Sequence, residues 1–274
     1  MGPGVLPERK SRVGHLRKRN HQRVSPLMIS SMAASYANRV NEYVAGRPEY
    51  PSALLSDLPL ADTIIELGAG TGKFTRLLAL TGKRILAIEP IEAMAAHIRD
   101  DCLPGVELQI GAAEAIPVPD RAAGLVCCAQ AFHWFDYERA TGEILRVLDE
   151  DGALALVWNV RDERDPWVAA FWKLTDSYAG ASPRYVSGHW RAILSDPRFE
   201  YLAGKTYPFV HSMARSGIVD RALSFSFIAA LPLDEQENIR IRIIELLEKE
   251  PSLVGKDEIQ FPYLTELYVF RKRS

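Results

Sequence analysis

Residues 64–75 read Ile64-Ile65-Glu66-Leu67-Gly68-Ala69-Gly70-Thr71-Gly72-Lys73-Phe74-Thr75. Thr63, Ile64 and Ile65 are β-branched, and an apolar run of that kind reads as the inner end of a buried strand. Gly68, Gly70 and Gly72 then make a loop of little steric bulk, and Phe74, Leu77 and Leu78 begin a helical rhythm. Strand, glycine loop and helix in that order form the first turn of an α/β fold that binds a nucleotide or nucleoside.

Spacing separates three loop types. A phosphate-binding Walker loop needs Gly-x-x-x-x-Gly-Lys-Ser/Thr. With Gly72-Lys73 at its end, Leu67 would have to be glycine and Phe74 serine or threonine, so two positions fail. A dinucleotide loop needs Gly-x-Gly-x-x-Gly, its last glycine letting the helix sit against the strand. Counting from Gly68 and Gly70, that position holds Lys73, a long charged side chain. The pattern left is acidic-x-Gly-x-Gly-x-Gly, Glu66 through Gly72. It suits a cofactor without a pyrophosphate, because the glycines let backbone approach and Glu66 can accept a charge-assisted bond from an ammonium group.

The Glu66–Gly72 segment resembles motif I of the class I S-adenosylmethionine-dependent methyltransferases. Further segments resemble the methyltransferase type 11 branch that includes the trans-aconitate methyltransferase-like proteins. One is Tyr43-Val44-Ala45-Gly46-Arg47-Pro48-Glu49-Tyr50-Pro51, which in that branch helps to close the cofactor pocket. A second is Gly111-Ala112-Ala113-Glu114-Ala115-Ile116-Pro117-Val118-Pro119-Asp120, similar to the family's adenine-side segment. The third is Gln130-Ala131-Phe132-His133-Trp134-Phe135-Asp136, at the C-terminal end of the fourth strand. Two positions depart from the pattern. Ala112 stands where many relatives place an adenine-binding Asp, and Gly124 where the fourth strand usually begins with Asp. The Asn/Asp-Pro-Pro-Tyr segment of nucleic-acid amino methyltransferases is absent.

The resemblance implies S-adenosyl-L-methionine as cofactor. It also implies a Rossmann-like sheet of seven strands in the order 3-2-1-4-5-7-6, the last strand antiparallel, with helices on both faces. Cofactor contacts are expected from Glu66, Gly68, Ala69, Gly70, Glu89, Pro90, Met94, Ala113, Glu114 and Gln130. Glu89 lies 23 residues after Glu66, close to the offset of ~20 at which a carboxylate meets the ribose hydroxyls. His133 is the candidate general base, with a pKa near neutrality, or else a residue that orients its loop. Tyr43, Arg47, Trp134, Trp158 and Asn159 are the candidate acceptor-binding residues, and Arg161 and Arg184 are further cations for a carboxylate. The expected reaction is O-methylation of a small molecule, possibly a carboxylate, by direct displacement. A non-catalytic cofactor-binding or RNA-associated protein, and an NAD-dependent oxidoreductase, are the alternatives.

Composition fits this class. The 274 residues are 47% apolar and 25% charged, near the globular average. Net charge is −2, but residues 1–27 hold seven Lys/Arg and one Glu (+6), leaving 26 basic and 34 acidic residues (−8) elsewhere. An acidic body argues against a large nucleic-acid footprint. No apolar run approaches the ~20 residues of a membrane helix, so neither a nucleic-acid nor a membrane partner is expected, and a cytoplasmic location is. Cys127 and Cys128 are adjacent on a strand and face opposite ways, so no metal site is expected.

Residues 1–30 are expected to be a disordered basic extension, read first as sequence upstream of a start at Met28 or Met32, otherwise as a targeting peptide or a nucleic-acid arm. Residues 31–274 are expected to form the methyltransferase domain, with its core at 60–160 and helical cap contributions from 31–58, 161–200 and 212–250. Helices are expected over 33–44, 52–58, 212–230 and 233–250. Strand six is expected over 205–211 and strand seven over 261–271.

Overall fold

The computed structural model describes residues 46–180 and 184–273. The expected helix over 33–44, Tyr43 and the basic extension lie outside the described residues.

Five strands run parallel: β1 (Thr63–Leu67), β2 (Arg84–Glu89), β3 (Val106–Ile110), β4 (Ala123–Ala129) and β5 (Leu148–Arg161). β6 (Phe199–Ala214) and β7 (Glu258–Lys272) complete a seven-stranded sheet of order β3-β2-β1-β4-β5-β7-β6. β7 is antiparallel to both of its neighbours. The expected order is therefore the observed one.

β1, β4 and β5 read as near-continuous apolar runs because helices cover both faces of the sheet. Alternation then divides each strand between two cores. Ile65, Leu67, Val126, Cys128, Leu154 and Leu156 pack on one face, with α3 (Tyr137–Val147). Ile64, Leu125, Cys127, Ala155 and Val157 pack on the other, with α1 (Lys73–Ala79). The two cysteines lie in different cores, as strand geometry requires. α2 (Glu92–Asp101) joins β2 to β3.

A third core lies beyond the sheet. It joins α4 (Pro166–Asp176), α5 (Arg215–Leu223), α6 (Ser226–Ala229) and α7 (Leu233–Lys249) to the starting end of β7. Pairing of β5 with β7 ends at Arg161 and Tyr263, whereas β6 and β7 stay paired as far as Ala214 and Glu258. The overhang is a two-stranded ribbon, and its buried Phe261 and Tyr263 carry the aromatic residues of α4: Trp167 and Phe171 each meet Phe261 edge-on at 5.2 Å.

Several boundaries differ from the expected ones. β6 begins at Phe199 and runs through Ala214, because the β7 partner supplies the pairing, with one irregularity between Tyr201 and Ala203, to residues that are mostly exposed and do not alternate. The expected helix over 212–230 is two helices. The Ser224 hydroxyl donates to the Arg221 carbonyl at 2.7 Å, a side-chain bond that competes with helix continuation. Residues 52–57 form a 3-10 helix, as do 185–187 and 189–195.

Candidate functional site

At the C-terminal ends of β1, β4 and β5, where strand order reverses, a cleft of about 500 Å³ including its open mouth is lined by Glu66, Gly68, Ala69, Gly70 and Thr71. Ala129, Gln130 and Asn159 close it from the sheet side; Arg47, Pro48, Tyr50, Lys73, Phe74 and Arg221 line the rest. Gly68, Gly70 and Gly72 all take positive φ (69°, 59° and 84°), the left-handed region that favours glycine. A Cβ on Gly68 would stand 2.6 Å from the Ala131 Cβ, whereas one on Gly70 would project into open space. The first glycine is thus required by packing. The second leaves backbone bare toward the cleft.

Glu66 is fully buried. Its Oε2 accepts from the Thr75 hydroxyl at 2.6 Å, while its Oε1 has no partner among the described residues. Burial pushes this carboxyl up to about 8, against the pull of the Thr75 bond, and nearby Glu89 adds to the rise. Glu89, at the end of β2, accepts from the backbone N–H of Gly70 at 2.8 Å and of Ile91 at 2.9 Å. Burial raises it to about 7, partly offset by those two amides. The carboxylate that ends β2 therefore also fixes the glycine loop of β1.

Other expected residues have definite places. Gln130 sits at φ 57°, and its amide donates to the Asn159 carbonyl at 2.9 Å. Asn159 is itself fully engaged: its amide donates to the Glu49 carbonyl at 3.0 Å, and its Oδ1 accepts from Thr265 at 2.5 Å. It ties β5, β7, Gln130 and the 46–51 segment together. Glu114 accepts from the Asp136 backbone N–H at 2.8 Å, which anchors the loop carrying His133. Met94 and Ala113 are buried, and Pro90 is exposed. Glu89, Pro90, Met94, Ala113 and Glu114 do not line the cleft itself.

The His133 geometry departs from that of a base with a pKa near neutrality. Its Nδ1 accepts from the Trp158 indole N–H at 3.3 Å, so the neutral ring carries its own proton on Nε2. Burial, and then the charge of Arg47, push it down to about 3. Trp158 is fully buried and packs at a tilt of 36° against Trp190, ring centroids 4.5 Å apart. Trp134 lies against the His133 ring at 5.3 Å. Of the three arginines considered for a carboxylate, Arg161 and Arg184 are both paired with Asp176, at 2.5 and 2.7 Å. Only Arg47 lines the cleft, and its guanidinium donates to the Ser224 carbonyl.

Sequence reasoning missed Arg221, Lys73 and Phe74 as lining residues and placed Tyr50 there only as part of the 43–51 segment. Tyr50 and Phe74 meet edge-on at 5.0 Å, and Lys73 pairs with Glu49. In the sequence Lys73 stands out only as the residue that breaks a dinucleotide loop. Arg221 had no local signal at all, being one charged residue in a cap helix.

A family model described as a methyltransferase domain matches residues 65–156. An uncharacterized methyltransferase-like protein of Schizosaccharomyces pombe is 36% identical over 245 residues, 87% of this chain and 95% of the relative. An uncharacterized methyltransferase of Mycobacterium bovis is 33% identical over 236 residues, 85% and 94% of the two chains. The chain belongs to the class I S-adenosylmethionine-dependent methyltransferases. A solved type II methyltransferase assignment from Anaeromyxobacter dehalogenans shares the fold, with a TM-score of 0.63 at 23% identity over 83% of this chain and 97% of that one.

The methyltransferase cofactor fits the residues present. S-adenosylmethionine carries an ammonium group, and the cleft offers a buried carboxylate oxygen lacking a partner among the described residues. The bare backbone at Gly70 offers a close approach. Among the described residues, no helix is long and apolar enough to cross a membrane.

Proposed function

We propose that this methyltransferase acts on an oxygen of a small anionic acceptor, a carboxylate. The observation that carries this is the state of His133: its Nδ1 is taken by Trp158, burial holds it neutral, and the charge of Arg47 acts on it in the same sense. A cleft with a cation, and with its histidine neutral, suits an acceptor that arrives already ionised and nucleophilic. An alcohol or phenol would first need its proton removed.

In this reading, Glu66 takes the ammonium of the cofactor and Glu89 its ribose hydroxyls, with Gly68, Ala69 and Gly70 approaching through backbone. Pro90, Met94, Ala113 and Glu114 shape the adenine side, and Gln130 holds the end of β4. Once bound, S-adenosylmethionine supplies an electrophilic methyl group on a sulfonium. Arg47 steers the acceptor carboxylate toward that group, and His133 presents its Nε2–H to it. The acceptor oxygen displaces the thioether, whose sulfur keeps the electron pair of the broken bond. A methyl ester and S-adenosylhomocysteine result, and no proton moves. A negative oxygen and a positive sulfonium neutralise each other, so a desolvated site favours the step, and alignment of the three reacting atoms supplies most of the rate.

The test is transfer of radiolabelled methyl from S-adenosylmethionine to a panel of small mono-, di- and tricarboxylates and their matched amides. We expect label in base-labile esters of one or more acids and none in the amides. Label appearing only in alcohols, amines or thiols would sink the carboxylate reading.

A further inference from the structure

Arg221 reaches the cleft from a part of the chain unrelated to the glycine loop. It lies on α5, is 4% exposed, and donates through Nε to the Tyr263 hydroxyl at 2.9 Å. Its guanidinium lies over Phe225 at 4.4 Å and near Trp172 at 5.4 Å. Keeping a guanidinium in such a setting carries a large desolvation cost, and a leucine or methionine would fill the same space without it. The side chain nonetheless lines the cleft that Glu66 and Gly70 also line.

The two cleft arginines share Phe225, over which Arg47 lies at 5.5 Å and Arg221 at 4.4 Å, and differ beyond it. Arg47 acts on His133, at the expected transfer end. Arg221 acts on His211 together with Lys73, the first residue of α1 after Gly72. Arg221 lines the cleft together with Gly68, Gly70 and Lys73 of the glycine-loop segment, and with Glu66, which offers a carboxylate oxygen.

We propose that Arg221 binds the α-carboxylate of the cofactor's methionine moiety, so that Glu66 and Arg221 together clamp a zwitterionic amino acid between the sheet and the cap. This rests on the role given above to Glu66. A guanidinium suits the task because its planar fork matches a carboxylate bidentately. The aromatic shell of Tyr263, Phe225 and Trp172 holds the fork in place before the ligand arrives. The clamp also makes cap position depend on the cofactor, because α5 packs against the 46–51 segment: a Cβ on Gly46 would stand 2.6 Å from the Arg221 backbone nitrogen.

The experiment compares S-adenosylmethionine, which has the carboxylate, with decarboxylated S-adenosylmethionine, which lacks only that group, by calorimetry. Wild type should bind the first at least about tenfold more tightly, the scale of a lost buried charge pair. Arg221→Met should remove that preference, weakening S-adenosylmethionine about tenfold or more while changing the decarboxylated form less than about twofold, and Arg221→Lys should restore part of it. Equal wild-type affinity for the two ligands overturns the proposal. So does an equal loss for both ligands in Arg221→Met, which is a packing role, or unchanged binding with a raised acceptor KM, which is an acceptor role. If Arg221→Met fails to fold, hydrogen exchange on wild type decides: protection of α5 by S-adenosylmethionine but not by the decarboxylated form supports the clamp, and equal protection overturns it. Failure of the carboxylate-acceptor reading would show in methyl transfer and leave these binding ratios untouched.

Discussion

Glu66 and Glu89 are carboxylic acids kept from water, and that sets how the site responds to pH. In the fold they titrate near about 8 and about 7, against 4.5 for an unburied glutamate. Between those limits the folded chain holds protons that the unfolded chain has released. The contribution of the two glutamates to the unfolding free energy therefore falls as pH rises from about 4.5 to about 8, while the depressed His133 and His211 act with the opposite sign up to about pH 6.5. A bound ammonium favours the ionised form of Glu66, so S-adenosylhomocysteine binding at pH 7 should expel up to about one proton per site. Calorimetry in buffers of differing ionisation enthalpy measures it, and a heat independent of buffer would count against this account. His133 makes the opposite prediction. With its pKa depressed to about 3, the rate should show no histidine limb between pH 5 and 8, and His133→Asn should lower kcat without altering the shape of the profile. A limb near pH 6.5 that vanishes in the variant would return His133 to the role of base. At this scale the sequence was informative about which residues matter and silent about their protonation. Residue type marks Glu66 and His133 as candidates, but burial and the indole of Trp158 decide what each can do.

The last turn of β5 shows what an element adds. Asn159 is legible as a polar residue at the end of an apolar strand, which suggested acceptor contact. Its bonds to Thr265, Glu49 and Gln130 show instead a junction between β5, β7, the 46–51 segment and the end of β4. Thr265 is fully buried, so Thr265→Val keeps the shape and removes the donor to Asn159 Oδ1. We expect a loss of about 1–3 kcal/mol from that unsatisfied acceptor, read by urea denaturation, with a weaker grip on Glu49 read as faster hydrogen exchange around residues 48–50. An unchanged midpoint would mean that the junction is dispensable. β1 and the inner part of β4 were legible because a buried parallel strand is written as an apolar run. β6 was not, because its pairing is paid for by β7 rather than by its own pattern: most of residues 200–206 are exposed, and the expected strand began six residues late. The break between α5 and α6 was equally hidden, since Ser224 looks like any polar helix residue until its hydroxyl is seen to bond Arg221.

At the scale of the molecule, the sheet supplies the cofactor edge and the β6–β7 overhang carries the cap that meets it. Charge is divided as well: the chain beyond residue 27 carries −8. We expect a chain lacking residues 1–27 to bind S-adenosylhomocysteine within about twofold of the full chain and to show no salt-dependent retention of RNA, because an acidic body has no counterions to release from phosphate. RNA binding that survives the deletion would point to a surface on the body itself. The sequence by itself determined the fold class, the strand order through family resemblance, the glycine loop and the two candidate carboxylates beside it. These are local: a loop of three glycines, an acid at the end of each of two strands, and an apolar run between turns are complete within a few tens of residues. Only the tertiary structure decided that Arg161 and Arg184 answer Asp176, that the His133 Nδ1 accepts from Trp158 in a buried setting, and that Arg221 lines the cleft with Glu66. Those facts join residues 8 to 155 positions apart, and a charge or proton state follows from its spatial neighbours, which no local stretch of sequence records.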